Sequence, residues 1–192
     1  HAQIALMTSP VNYEVMKNCR YVNRVINFDK SEVLGKGIQG WENLLKFVGL
    51  LRAEGYDLAC VPSTVSTSFT SDFFAYVSGA RVRIGAASLN AKASPSSFFF
   101  NVPVDLDWSA TPHRHQTLRN LDIGKSLDLS TSNLSLEITF DSDEERQSNL
   151  LKKSKLEQGK RVIVYHPGAG KVQNRWEASR FTRVANILAH EF

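Results

Sequence analysis

A β-branched run, Val162-Ile163-Val164-Tyr165, stops at His166-Pro167-Gly168-Ala169-Gly170-Lys171. After Asn174-Arg175-Trp176 it gives way to a segment whose apolar residues, Phe181, Val184, Ala185 and Leu188, recur at helical spacing. A strand that ends in a proline- and glycine-rich loop and reopens as a helix is the unit from which parallel α/β sheets are built, because the helix carries the chain back for the next parallel strand. The loop then lies at the carboxyl end of the strand, where main-chain amides and the helix N-terminus favour anions. Lys171 and Arg175 add cations there, which points to a phosphate-bearing ligand. Glycine spacing alone leaves an ordinary strand-to-helix turn equally open. There is no GxxxxGK[ST], and only Gly168 and Gly170 fit the spacing of the dinucleotide GxGxxG.

The same rhythm runs through the rest of the chain. Residues 4–7 and 22–28 read as strands around a short helix at 10–18. Trp41, Leu44, Leu45, Val48, Leu51 and Arg52 repeat every three or four residues and predict an amphipathic helix that Gly55 ends. A buried strand is expected at 58–61, then a Ser/Thr-rich loop, then a helix with Phe69, Phe73, Phe74 and Val77 on one face and Gly79 as its stop. Residues 82–84 and 97–102 read as further strands, and 113–121 as a helix. This alternation predicts an α/β fold with a mostly parallel sheet covered on both faces.

Between residues 122 and 136 the texture turns to Ser, Asp, Thr and Asn without a clear period. An extended stretch at 136–140 follows. Residues 141–156 read as a helix capped by Asp141 or Ser142, with Asp143, Glu144 and Glu145 placed favourably against its dipole. The expected division is one domain over 1–135, a connection over 136–159, and the start of a second domain over 160–192.

Composition narrows the function. In 192 residues, 42% hydrophobic, there is enough to bury a core for one domain and part of another. The 23 basic and 19 acidic residues are interspersed, and the densest basic runs are Lys152-Lys153-Ser154-Lys155 and Lys160-Arg161. A nucleic-acid partner is therefore not expected, while weak attraction to an anionic membrane surface or a phosphorylated glycolipid is compatible with those runs. Cys19 and Cys60 are too few for a disulfide framework, and fit buried or semi-buried thiols in a reducing compartment. The best apolar run, 44–51, is broken by Lys46. His113 and His115 flank Arg114 with no Cys or carboxylate at ligand spacing, so no metal site is expected.

Residues 162–188, VIVYHPGAGKVQNRWEASRFTRVANIL, resemble the segment that opens the C-terminal domain of family 9 glycosyltransferases, the lipopolysaccharide heptosyltransferase family. That segment reads as a strand, His-Pro-Gly-Ala or His-Pro-Gly-Ser, a basic stretch, Arg-Trp or Asn-Trp, then an amphipathic helix. Leu51-Arg52 followed by Tyr56-Asp57-Leu58, then Arg83-Ile84-Gly85 and Asn120-Leu121, fall in the family's order. The resemblance implies a GT-B architecture, two Rossmann-like domains facing across a cleft, of which this chain holds most of the acceptor-side domain and the first strand, loop and helix of the donor domain.

By that resemblance His166, Gly168, Ala169, Gly170, Lys171, Asn174 and Arg175 bind the donor's phosphates, with Lys171 favoured as the main cation. Asn174 stands where the family commonly has a lysine. Ser63, Thr64 and His113 fall on the acceptor side, although capping the next helix is the simpler duty for the hydroxyls after residue 61. The family's catalytic carboxylate belongs to a Gly-Asp loop expected upstream of His1, so no catalytic residue is assigned and the chain is read as an inactive fragment. The implied donor is a nucleoside-diphosphate sugar such as ADP-heptose, used with inversion and without cofactor or metal. The implied acceptor is a lipopolysaccharide core or related glycolipid, and the implied place is the cytoplasm, at most peripheral to the inner membrane. Two other readings stay open: a non-catalytic sugar- or phosphate-binding relative, and the nucleotide-binding module of another α/β enzyme.

Overall fold

A computed structural model describes residues 2–155, 163–170 and 172–191. They divide into two compact units, 1–139 and 140–192. The first runs β1 (Ala5–Thr8), α1 (Pro10–Met16), β2 (Arg24–Asn27), α2 (Lys30–Val33), α3 (Gly37–Ala53), β3 (Leu58–Cys60), α4 (Phe69–Val77), β4 (Val82–Leu89), β5 (Lys92–Ala93), β6 (Val102–Leu106) and α5 (Gln116–Asp122). The second carries α6 (Ser142–Lys155) and α7 (Ala178–Glu191).

The described strands form two sheets. β1 pairs parallel with β2, Ala5 opposite Arg24. β4 pairs parallel with β3 on one side, Leu58 opposite Val82, and with β6 on the other, Ile84 opposite Val102. The one antiparallel neighbour is β5, a two-residue hairpin strand absent from the sequence reading. Its turn, Asn90-Ala91, puts both residues in the left-handed region at φ 49° and 64°. That is the geometry a two-residue hairpin requires, and alanine seldom adopts it.

Helix stops follow the glycines. Gly55 at φ 64° and Gly79 at φ 79° turn the chain out of α3 and α4 in a conformation that costs other residues more. The α3 helix begins at Gly37, earlier than its apolar pattern indicates, and Trp41 and Leu45 are solvent-facing while Phe47 and Leu51 are buried. Phe47, Phe28 and Phe74 interlock with centroids 4.9 to 5.4 Å apart, tying α3 and α4 to the end of β2. Aromatic pairs of this kind add about 0.5–1.5 kcal/mol each beyond burial. A second core joins Ile84, Ala86, Leu106, Trp108 and Ile123.

Three expectations are corrected. Residues 97–102 are not a strand: Ser97–Phe99 is a 3-10 turn, and the strand starts at Val102. A strand would send Phe99 and Phe100 to opposite faces, whereas the turn buries both. Leu58 and Cys60 are exposed, so β3 is not buried and Cys60 is not a covered thiol, because one edge of β3 has no neighbouring strand among the described residues. Residues 163–165, the described part of the apolar run, lie in no ladder. A parallel strand needs a neighbour, and the described residues of the second unit contain none.

The helix expected at 141–156 is observed as Ser142–Lys155. Its cap resolves to Asp141, whose Oδ1 accepts from Glu144 N at 2.8 Å while Glu144 Oε2 accepts from Asp141 N at 3.1 Å. This reciprocal box satisfies donors that the first helical turn leaves free. The extended stretch 136–140 forms no ladder, and Glu137 is held by Arg20 at 2.8 Å and Tyr21 Oη at 3.0 Å.

Candidate functional site

β3, β4 and β6 run parallel, so their carboxyl ends open on one edge of the sheet, the place where α/β folds put their binding loops. The loop after β3 holds Ser63 and Thr64, and the loop after β6 leads through Trp108 and His113 into α5. Thr64 is buried and is the tie between the two. Its Oγ1 donates to Asn120 Oδ1 at 2.5 Å and accepts from Gln116 Nε2 at 2.5 Å, and the same Gln116 nitrogen donates to Asn120 Oδ1 at 3.0 Å. Gln116 and Asn120 meet because residues four apart share a helix face. The triangle leaves the Asn120 amide nitrogen and the Gln116 carbonyl oxygen free of hydrogen bonds among the described residues, a donor and an acceptor suited to hydroxyl groups.

Ser63 is half-buried beside this network, and its side chain makes no hydrogen bond among the described residues. His113 is exposed and stands outside the network. Capping of α4 does not fall to Ser63 or Thr64: Ser68 does it, accepting from Ser71 N at 3.3 Å. His115 caps α5, its Nδ1 accepting from Thr117 N at 3.3 Å.

Below the network Asp122 gathers three donors. Arg114 holds it in a fork, Nε to Oδ2 and Nη2 to Oδ1, both at 2.7 Å. Trp108 Nε1 donates at 2.8 Å, and Lys125 Nζ lies 2.8 Å from Oδ1. Burial works to raise the Asp122 pKa, and the bonds from Arg114, Lys125 and Trp108 overcome it, holding the carboxyl well below its usual range. Arg119 covers the Trp108 ring at 5.0 Å and donates to the Pro112 carbonyl at 2.7 Å. The sequence reading did not single out Gln116 or Asp122, and it met Asn120 only through the family order. The i,i+4 pairing of Gln116 and Asn120 was the available signal.

In the second unit residues 163–169 run without regular structure into Gly170. His166, Pro167, Gly168 and Gly170 are exposed and Ala169 is half-buried. Arg175, also exposed, reaches back across the loop: its Nε donates to the Ala169 carbonyl at 2.8 Å, and its N–H to the Val172 carbonyl at 3.0 Å. A side chain at Gly168 would meet the His166 ring at 3.8 Å, whereas Gly170 faces open space. Trp176, 47% exposed, packs edge-on against Phe181 at 5.1 Å, which anchors the loop to α7. Asn174 is exposed and ends a short 3-10 turn. Lys171 lies outside the described residues.

Among the described residues no three His, Cys, Asp or Glu side chains form a group that could hold a metal, and no helix is long and apolar enough to cross a membrane.

The crystal structure of a family 9 glycosyl transferase from Veillonella parvula superposes with a TM-score of 0.78 at 19% identity, covering 99% of this chain and 52% of that one. The likeness is one of fold, and the chain spans about half the length of that protein. No curated protein matches it. The sequence profile of glycosyltransferase family 9 (heptosyltransferase) matches residues 44–191, which take in both the Thr64–Asn120 network and the His166–Arg175 loop. The chain belongs to glycosyltransferase family 9.

Proposed function

We propose that the complete protein transfers a heptose-like sugar from a nucleoside-diphosphate donor to a lipopolysaccharide core or related bacterial glycolipid, with inversion at the anomeric carbon. Family membership supports the reaction class. The observation that supports the donor assignment is the loop from His166 to Gly170, exposed at His166, Pro167, Gly168 and Gly170 and held by the Arg175 bond to the carbonyl of half-buried Ala169. As the glycosidic bond breaks, negative charge collects on the leaving pyrophosphate, and preorganised amides and a cation stabilise it. Gly168, Ala169 and Gly170 let main chain approach the phosphates, His166 and Asn174 add hydrogen bonds, and Lys171 supplies the principal charge. Arg175 is the lesser cation because its guanidinium is already committed to the loop.

On the acceptor side Ser63 and Thr64, steadied by Gln116 and Asn120, and His113 meet sugar hydroxyls. This network contains no carboxylate. The proposed transfer uses no cofactor or metal. The place of action is the cytoplasmic face of the inner membrane, where the basic run at 152–155 favours anionic headgroups.

The test is donor affinity of the full-length protein. Loss of a charge-assisted hydrogen bond costs about 1.5–3 kcal/mol, so Lys171→Ala weakens ADP binding by about ten- to over a hundredfold without moving the melting temperature. If Arg175→Ala weakens binding and Lys171→Ala does not, the cation is wrongly assigned. If neither changes it, the loop is not the diphosphate site.

A further inference from the structure

The carboxyl end of β2 opens on a hollow of about 250 Å³ between α2 and α3. Four polar side chains of mixed character line it: Asn27 at the end of the strand, Asp29 at the cap of α2, Glu32 within α2, and Lys46 from α3. Val33, Phe47 and Leu50 give it an apolar wall.

The bonds that fix these walls leave the lining groups unspent. Asp29 carries the capping of α2 on one oxygen alone: Oδ1 accepts from Ser31 N at 2.8 Å, Ser31 Oγ at 2.6 Å and Glu32 N at 3.4 Å. Its Oδ2 makes no hydrogen bond among the described residues. The Ser31 hydroxyl and amide hold the Asp29 carboxyl below its usual range, so it stays an acceptor. Asn43 braces α2 against α3, its Nδ2 donating to the Glu32 carbonyl at 3.0 Å and its Oδ1 accepting from Gln39 Nε2 at 3.0 Å. The side chains of Asn27, Glu32 and Lys46 have no hydrogen-bond or ion-pair partner among the described residues. Glu32 and Lys46 thus line one hollow without pairing.

We propose that this hollow binds one neutral, hydroxyl-rich sugar ring. Each sugar hydroxyl both donates and accepts, and the hollow offers acceptors on Asp29 and Glu32, a donor on Lys46 and both on the Asn27 amide. The apolar wall takes the C–H face of the ring, the usual division of labour in a small-molecule site. Two carboxylates against one ammonium disfavour a phosphate or carboxylate ligand, because like charges brought together are costly. An apolar ligand would strand the polar groups. The hollow shares no residue with the Thr64–Asn120 network or the His166–Arg175 loop, so the proposal does not depend on the transfer reaction above.

A free monosaccharide and a residue within a glycan present the same hydroxyls, and the probes separate them. Methyl glycosides of mannose, glucose and galactose, and a neutral trisaccharide of each, are titrated into the isotope-labelled 192-residue chain. The readout is the shift of the Asn27 and Asn43 side-chain amides and of the Val33 and Phe47 main-chain amides. Saturable shifts there are expected with at least one sugar. Glu32→Ala should weaken that binding by about tenfold or more and Asn27→Ala by about two- to tenfold, with the remaining amide signals in place to show that both variants fold. Gln116→Ala should leave it unchanged. A phosphorylated counterpart, the sugar 6-phosphate, should bind more weakly than the neutral glycoside. Tighter binding of the trisaccharide assigns the site to a glycan residue, and equal affinity to a free sugar. No saturable shift at the hollow with any neutral probe overturns the proposal. So does unchanged affinity in both Glu32→Ala and Asn27→Ala, or preference for the phosphorylated sugar.

Discussion

Gly85 is the position where the packing of this fold leaves least room. It lies buried in the middle of β4, and a Cβ built on it falls 2.5 Å or less from three atoms of the Phe100 ring. Phe100 is 7% exposed and packs with Val61 and Ala75, so the ring has no open side to move into. Overpacking costs about 1–3 kcal/mol, and displacing a buried phenylalanine outright costs about 3–5. Alanine's better strand propensity returns at most about 1 kcal/mol, which leaves a net loss of about 2–3 kcal/mol for Gly85→Ala. The control is Gly49→Ala, on the exposed face of α3 with nothing within 4 Å of the added carbon. There the substitution should stabilise by about 0.5–1 kcal/mol. Urea unfolding of both variants and of Gly85→Ala/Phe100→Leu measures the difference. The double variant should be less damaged than the sum of its parts by about 1 kcal/mol or more, because the smaller side chain relieves the clash. A Gly85→Ala loss below about 0.5 kcal/mol, or strict additivity, refutes this account of the β4–Phe100 contact.

Asp122→Asn removes the charge that Arg114, Trp108 and Lys125 share and should cost about 2–4 kcal/mol at pH 7, read from the shift in the urea midpoint. Because the folded-state pKa is lowered, this contribution is fully present above about pH 4 and is lost as pH falls through the folded value, so the gap between wild type and Asp122→Asn should narrow only in acid. Asp72 is the opposite case: burial raises its pKa, partly offset by the Ser96 hydroxyl at 2.5 Å. Stability tied to Asp72 is therefore present in acid and lost as pH rises through its folded value, and Asp72→Asn should flatten that segment of the stability profile. Asp141→Ala opens the capping box and should lower the helicity of α6, at a cost of about 1 kcal/mol, visible by circular dichroism.

Features that depend on neighbours in sequence were legible. Gly55 and Gly79 announced helix ends because only a left-handed residue closes them cheaply, and the start of α6 was legible to within Asp141 or Ser142, the Glu144 bond deciding for Asp141. The Phe98-Phe99-Phe100 run misled, since three apolar residues in a row carry no period and only packing against Tyr76 and Phe73 selects a turn over a strand. The Asn90-Ala91 hairpin was hidden by an alanine in a conformation that its type disfavours. Leu58 and Cys60 read as core because composition cannot report that a strand lacks a neighbour. The Thr64–Asn120 bond joins residues 56 apart, and the role of Asp122 exists only once Trp108, Arg114 and Lys125 are folded around it. The His166–Arg175 loop was singled out early because its glycines and cations stand in consecutive residues.

The most direct measurement is mass and NMR analysis of the acceptor after full-length protein is incubated with ADP-heptose and a lipopolysaccharide-core acceptor, with the 192-residue chain assayed in parallel. The account predicts that full-length protein adds a single heptose with inverted anomeric configuration, that Lys171→Ala slows the addition by about ten- to a hundredfold, and that the shorter chain forms no product above a no-protein blank. Full-length protein that binds the nucleotide sugar and leaves the acceptor unchanged would contradict it.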